Sequence, residues 1–161
     1  MNDPVRKQSV LILGLGNEIL SDDGIGPGLV RALSGIISDE RILFDSAGCG
    51  GLEIMELIRG FKMVIIIDAI HTSGGSPGDV YHFLPDDFRE TSNLSNLHDV
   101  SFLTTLRLGD ILGLDLPPEI HIIAVEIVED REFSEEFTPA IKERFQDIFD
   151  DVVAIINRIM E

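Results

Sequence analysis

"SVLILGLGNEILSDDGIGPGLVRALSGII", residues Ser9 to Ile37, decides how this chain is to be read. Its first part, Ser9–Gly14, is a short and almost wholly apolar run closing on glycine, the pattern of a strand buried on both faces of a parallel sheet. Its last part carries Leu29, Val30, Leu33, Ile36 and Ile37 at helical spacing. They follow Pro27, whose missing N–H costs nothing in a first helical turn. A strand therefore feeds a helix through the turn Gly14–Gly26. Turns of this kind often cradle phosphate, but three features argue against it here. Counting from Gly14 and Gly16, Ile19 stands where a dinucleotide fingerprint has its third glycine; no Gly-Lys-Ser/Thr follows; and Asp22 and Asp23 put negative charge where an anion would sit. Taken alone, Asp22 or Asp23 reads as a cap for the coming helix.

The same alternation continues outward. "RILFD" (Arg41–Asp45) and "MVIIID" (Met63–Asp68) read as strands ending in aspartate, with "GGLEIMELIRG" between them as a short helix closed by Gly60. "DVYHFL" (Asp79–Leu84) alternates as an edge or antiparallel strand does, and "IHIIAVEI" (Ile120–Ile127) has the apolar density of a central one. Between them a helix follows "SNLHD", carrying Val100, Leu103, Leu106 and Leu108 and fraying at Gly109 or Gly113. A last helix takes Thr138 as cap and Pro139 in its first turn, and buries a stripe from Ile141 through Ile148 and Val152 to Ile159. Strands alternating with helices give an α/β class: a three-layer α/β/α sandwich around a mostly parallel sheet of about five strands. One domain over residues 1–161 is expected, with no repeat or low-complexity tract. In such sheets the site lies beyond the carboxyl ends of the strands.

Composition narrows the partners. A formal charge of −17, with twelve Lys and Arg scattered from Arg6 to Arg158, repels a phosphate backbone and argues against nucleic acid. The longest apolar run near the middle, Met63–Ile67, is far short of the roughly 20 residues that span a bilayer. No membrane insertion and a soluble, cytoplasmic location are therefore expected. With 44% hydrophobic residues and a mean hydropathy of +0.21 there is ample material for a core. The single cysteine, Cys49, excludes an internal disulfide and a thiolate-rich metal site.

Three side chains then stand out. Asp68 closes the most apolar strand and should emerge beside the acidic turn that carries Asp23. His98 lies in the polar segment "SNLHDVSF" before an apolar helix. Two carboxylates and an imidazole are the donors a divalent transition metal accepts, with positions left for water or for groups of a second protein. His71, three residues past Asp68, is a substitute ligand. His82 and His121 read as half-buried strand residues, and Glu126 and Glu129 close the late strand. A hydrolase built on Cys49 and His98 is a rival, although Ala47 stands where a nucleophile elbow has its first glycine.

Taken together, "GLGNEILSDDGIG", "DSAGCGGLE", "IIIDAI" and "LHDVSFL", in that order, resemble the motifs of the nickel-iron hydrogenase maturation proteases. The likeness runs over nearly the whole length. The resemblance implies a three-layer α/β/α fold and an endopeptidase that removes a C-terminal extension from a hydrogenase large-subunit precursor after nickel insertion. By the same likeness Asp23, Asp68 and His98 act as both metal-contacting and catalytic residues. The nickel would be presented by the precursor, and other divalent metals could substitute. "DSAGCGG" departs from the family turn by lacking its threonine, and "AVEIVEDREF" is only loosely like the family's Gly-hydrophobe-x-Pro-Glu segment. Two further readings stay open: a nickel-sensing or nickel-delivery protein without hydrolysis, and a peptidyl-tRNA hydrolase, whose opening "GLGN" resembles but whose later motifs are absent.

Overall fold

The structure, a computed structural model, describes residues 8–48, 51–89 and 105–161. In chain order these form β1 (Val10–Leu15), a 3₁₀ turn (Ser21–Gly24), α1 (Ile25–Ser34), β2 (Ile42–Ala47), α2 (Leu52–Ile58) and β3 (Met63–Ile70). There follow β4 (Val80–Phe83), a second 3₁₀ turn (Pro85–Arg89), helical residues 105–111 (α3), β5 (Glu119–Glu126) and α4 (Pro139–Met160).

The strands make one five-stranded sheet in the order β2-β1-β3-β5-β4. β2, β1, β3 and β5 run parallel, while β4 pairs antiparallel with β5 at the edge. Because side chains alternate along a strand, each internal strand divides its residues between two faces. Ile12, Ile65, Ile67, Ile123 and Val125 pack with Leu29 and Leu33 of α1 and with Ile148 and Val152 of α4. Leu11, Leu13, Val64, Ile66 and Ile122 pack with Ile54 and Ile58 of α2 and Leu106 of α3. The expected α/β architecture with helices on both faces is what forms, and the reason is visible in β1: all six of its residues are buried, so its unbroken apolar run is needed on both sides. Each such Leu or Ile contributes on the order of 1.5–3 kcal/mol relative to exposure.

Several boundaries move. β2 continues past Asp45 to Ala47 and β3 past Asp68 to Ile70, because pairing persists through Ser46↔Gly14, Ala47↔Leu15 and Ile70↔Glu126. Asp68 is therefore inside a strand, opposite Ala124. α3 runs through Gly109 and stops before Gly113. Thr138 and Pro139 do open α4, but no side-chain cap hydrogen bond is made by Thr138. Nor does an aspartate cap α1, whose N-cap is Gly24. No described helix is long and apolar enough to cross a membrane.

Candidate functional site

β1 has β2 on one flank and β3 on the other. The connections out of β1 and β3 therefore diverge at their carboxyl ends and leave a crevice, the usual ligand position in open α/β sheets. The turn after β1 is pressed into this crevice by close backbone approaches. At Gly16, with φ +142°, a Cβ would stand 1.9 Å from the carbonyl oxygen of Asp23. At Gly26 a Cβ would stand 2.4 Å from the Leu15 oxygen and 2.5 Å from the Ile67 oxygen. Only glycine allows the start of α1 to rest on both strand ends at once.

That contact fixes where Asp23 and Asp68 lie relative to each other. Asp23 comes three residues before Gly26, and Asp68 comes one after Ile67. The ladder between β1 and β3 ends at Gly14↔Ile67, so Asp68 is the first β3 residue whose β1 flank is open to the turn. Strand alternation puts it on the face of Val64 and Ile66, the one covered by α2 and α3. It is half-buried, and its Oδ1 accepts the Ala69 N–H at 2.8 Å. Both sequence-designated aspartates thus stand at the same sheet edge. His98 and Cys49 lie outside the described residues, and among those described no three His, Cys, Asp or Glu side chains form a group that could hold a metal ion.

The adjacent acids of the turn bond to different parts of the chain. Asp22 is fully buried. Its Oδ2 accepts hydrogen bonds from Val128 N (3.1 Å), Glu129 N (3.1 Å) and Thr138 Oγ1 (2.8 Å), and its Oδ1 accepts from Thr138 N (2.8 Å). A carboxylate surrounded by donors from the loop after β5 and from the N-cap residue of a helix is fully hydrogen-bonded without a counter-ion. Thr138 gives its hydroxyl proton to Asp22, which accounts for the missing cap at α4. Asp23, also buried, receives the Asn17 N–H on Oδ2 at 2.8 Å, while Asn17 Oδ1 takes the Ile19 N–H at 3.2 Å. Ser21 makes the divergence possible: its φ of 53° reverses the backbone just ahead of the pair. Local sequence reading gives either acid the same capping role, and only the family resemblance singles out Asp23. What separates them is a set of donors more than a hundred residues away, which no local pattern reports.

The remaining candidates resolve individually. Glu126, at the end of β5, is buried; Thr72 N (2.8 Å), Thr72 Oγ1 (2.7 Å) and Tyr81 Oη (3.3 Å) donate to it. Burial raises the Tyr81 hydroxyl above its ordinary value, so it stays a donor across the neutral range. This cluster, which sequence reading missed, pins the loop after β3 next to Asp68. The signal for it was a glutamate closing an otherwise apolar strand. His71, the substitute ligand, sends Nε2 toward Asp130 Oδ2 at 3.3 Å. Glu129 folds onto its own loop, accepting the Arg131 and Glu132 N–H groups, and these bonds hold its carboxyl below the usual range. His82 and His121 are bonded to each other, Nε2 to Nδ1 at 2.9 Å, with His121 Nε2 on Glu119 Oε1 at 2.8 Å. They sit toward the amino end of β5, away from the crevice.

Residues 27–155 match the family model described as hydrogenase maturation protease. The hydrogenase expression/formation protein HupD of Thiocapsa roseopersicina is 31% identical over 140 residues, covering 84% of this chain; the chain spans only 62% of that relative. The hydrogenase 2 maturation protease of Escherichia coli is 25% identical over 92% of this chain and 90% of its own length. The solved structure of the hydrogenase maturating endopeptidase HybD from Escherichia coli superposes with a TM-score of 0.76 at 24% identity, covering 94% of this chain and 93% of that one, a likeness of fold. A family match over most of the chain, on the sheet and switch point described above, leads to one conclusion: the chain belongs to the hydrogenase maturation protease family.

Proposed function

We propose that this protein is an endopeptidase that removes the C-terminal extension of a nickel-iron hydrogenase large-subunit precursor once nickel has been inserted. The reading is carried by one observation: the Asp23 turn and Asp68 are brought to one edge of the sheet in a chain of this family. In this proposal Asp23, Asp68 and His98 contact the nickel of the precursor. Carboxylate oxygens and an imidazole bind a borderline ion more weakly than thiolates do, so the protein inspects the metal without extracting it. Nickel is thus part of the substrate. Water adds to the scissile carbonyl, the peptide C–N bond breaks, and the leaving amine takes up a proton, with a carboxylate as the base. Asp22, whose oxygens are already occupied by four donors, is left out of this chemistry.

The test is co-expression with candidate large-subunit precursors, with and without nickel, followed by intact-mass measurement. Nickel-dependent loss of a C-terminal peptide is expected, abolished by Asp23→Asn, Asp68→Asn or His98→Ala in protein that still folds. Normal processing by all three variants removes the site assignment. Tight nickel-dependent binding with no mass loss would instead make the protein a metal sensor or delivery factor.

A further inference from the structure

The loop after β5 and the turn after β1 form one stitched platform. Ser21 N donates to Ser134 O at 2.8 Å, Ser134 N to Ile19 O at 3.0 Å, and Asp22 N to Glu129 O at 3.0 Å. Leu20 and Ser134 make an isolated parallel bridge, and the Asp22 carboxylate closes the assembly from below. These bonds hold the backbones of the two loops against each other. Yet this platform turns apolar side chains outward: Phe133 is 82% exposed, Ile19 48% and Val128 47%. Nothing in the fold requires them there. Single exposed hydrophobes are ordinary, but three carried by two loops bonded to each other are a candidate interaction surface.

Two observations define the occupant. The first is continuity with the candidate site. Ile19 N is bonded to the Asn17 side chain, and Asn17 N is bonded to Asp23, so a surface seated on Ile19 and Phe133 lies alongside the Asp23 turn. The second is charge. The same loop carries Glu129, Asp130, Glu132, Glu135 and Glu136 against Arg131 alone. A partner face with an apolar centre and a lysine- or arginine-bearing rim is complementary to it, and a second copy of this chain, itself at −17, is not.

We propose that Phe133, Ile19 and Val128, within their acidic surround, form the docking surface for the folded body of the hydrogenase large-subunit precursor, separate from the groups that meet its nickel and its scissile bond. This rests on the maturation-protease reading. It implies that recognition uses the precursor's surface as well as its C-terminal extension.

The test uses the full chain and a nickel-loaded large-subunit precursor in two measurements. Equilibrium binding is measured with the Asp23→Asn protein as a trap and repeated with Phe133→Ser added. Roughly tenfold or greater weakening is expected, the usual consequence of truncating a central aromatic anchor. Processing by otherwise wild-type protein carrying Phe133→Ser should show KM raised by a similar factor with kcat unchanged. Glu132→Lys with Glu136→Lys should weaken binding and flatten its salt dependence. Unaltered affinity and KM in the Phe133→Ser and Ile19→Ser variants would overturn the docking surface while leaving the protease reading intact. Binding that depends on Phe133 without any cleavage by wild-type protein would keep the surface and remove the protease reading; neither binding nor cleavage would remove both.

Discussion

Replacing Asp22 with alanine tests the division of labour within the acidic turn. The substitution deletes a buried acceptor of four hydrogen bonds and strands three backbone N–H groups, those of Val128, Glu129 and Thr138, together with the Thr138 hydroxyl. Bonds to a charged acceptor are worth about 1.5–3 kcal/mol each and do not add. The hydroxyl can rotate to a new partner, and the vacated volume admits water to some of the amides. The expected net loss is therefore about 3–4 kcal/mol. With a urea m-value of about 2 kcal/mol/M, the unfolding midpoint should fall by roughly 1.5–2 M. Asp22→Asn should cost about half as much: an amide oxygen at the Oδ2 position keeps Val128, Glu129 and the Thr138 hydroxyl, and only the Thr138 N–H loses its acceptor. Urea denaturation followed by far-ultraviolet circular dichroism gives the midpoints, and hydrogen exchange at the three amides gives the local effect. A midpoint loss below roughly 0.5 M for Asp22→Ala, or unchanged protection of those amides, would refute the claim that Asp22 locks the turn.

Three other outcomes are expected. Gly16→Ala would bring a methyl to 1.9 Å from the Asp23 carbonyl oxygen at a φ of +142°; a loss of at least about 3 kcal/mol in urea unfolding is expected, and near-native stability would show that the turn yields. Burial holds the His82 imidazole below its ordinary value, His121 and Arg158 push the same way and Asp87 opposes them. The folded protein thus binds this proton less readily than the unfolded chain. The stability it contributes is complete above about pH 6.5 and is lost as pH falls through the folded value. The urea midpoint should accordingly drop more steeply between pH 7 and 5 in wild type than in His82→Gln, and equal slopes would contradict it. Cys49→Ser should retain precursor processing, whereas its abolition would restore the thiol hydrolase as a reading.

The fold was legible because its main signals are local. The apolar run of β1, the stripe of α4 and the strand-like density of β3 and β5 each state their own burial, and alternation along the chain supplies the layers. Strand ends were less legible: whether β3 stops at Asp68 or runs on to Ile70 depends on β5 continuing beside it, a partner that arrives well after it in the chain. Asp68 still reached the crevice, since a register two residues longer leaves its face unchanged. The roles of Asp22 and of the Glu126 cluster were illegible for a different reason. A buried carboxylate is recognised by its donors, and those of Asp22 come from Val128, Glu129 and Thr138, whose amides carry no signature in sequence. The pairing of His82 with His121 is of the same kind, set by the antiparallel register His82↔Ile123 that places the two rings on neighbouring strands.

The bond between Asp22 and Thr138, the N-cap of α4, reaches across 116 positions, and this has a bearing on biosynthesis. A ribosome releases the chain from its amino end, so β1 and its turn emerge early, whereas Thr138 appears only when little remains to be translated. Until then two of the four donors to Asp22, the Thr138 N–H and hydroxyl, are missing, and the Val128 and Glu129 amides have themselves emerged only shortly before. Complete bonding of the turn is thereby deferred to the close of translation, and a nascent fragment ending before Thr138 should fail to protect this segment from protease while the completed chain succeeds.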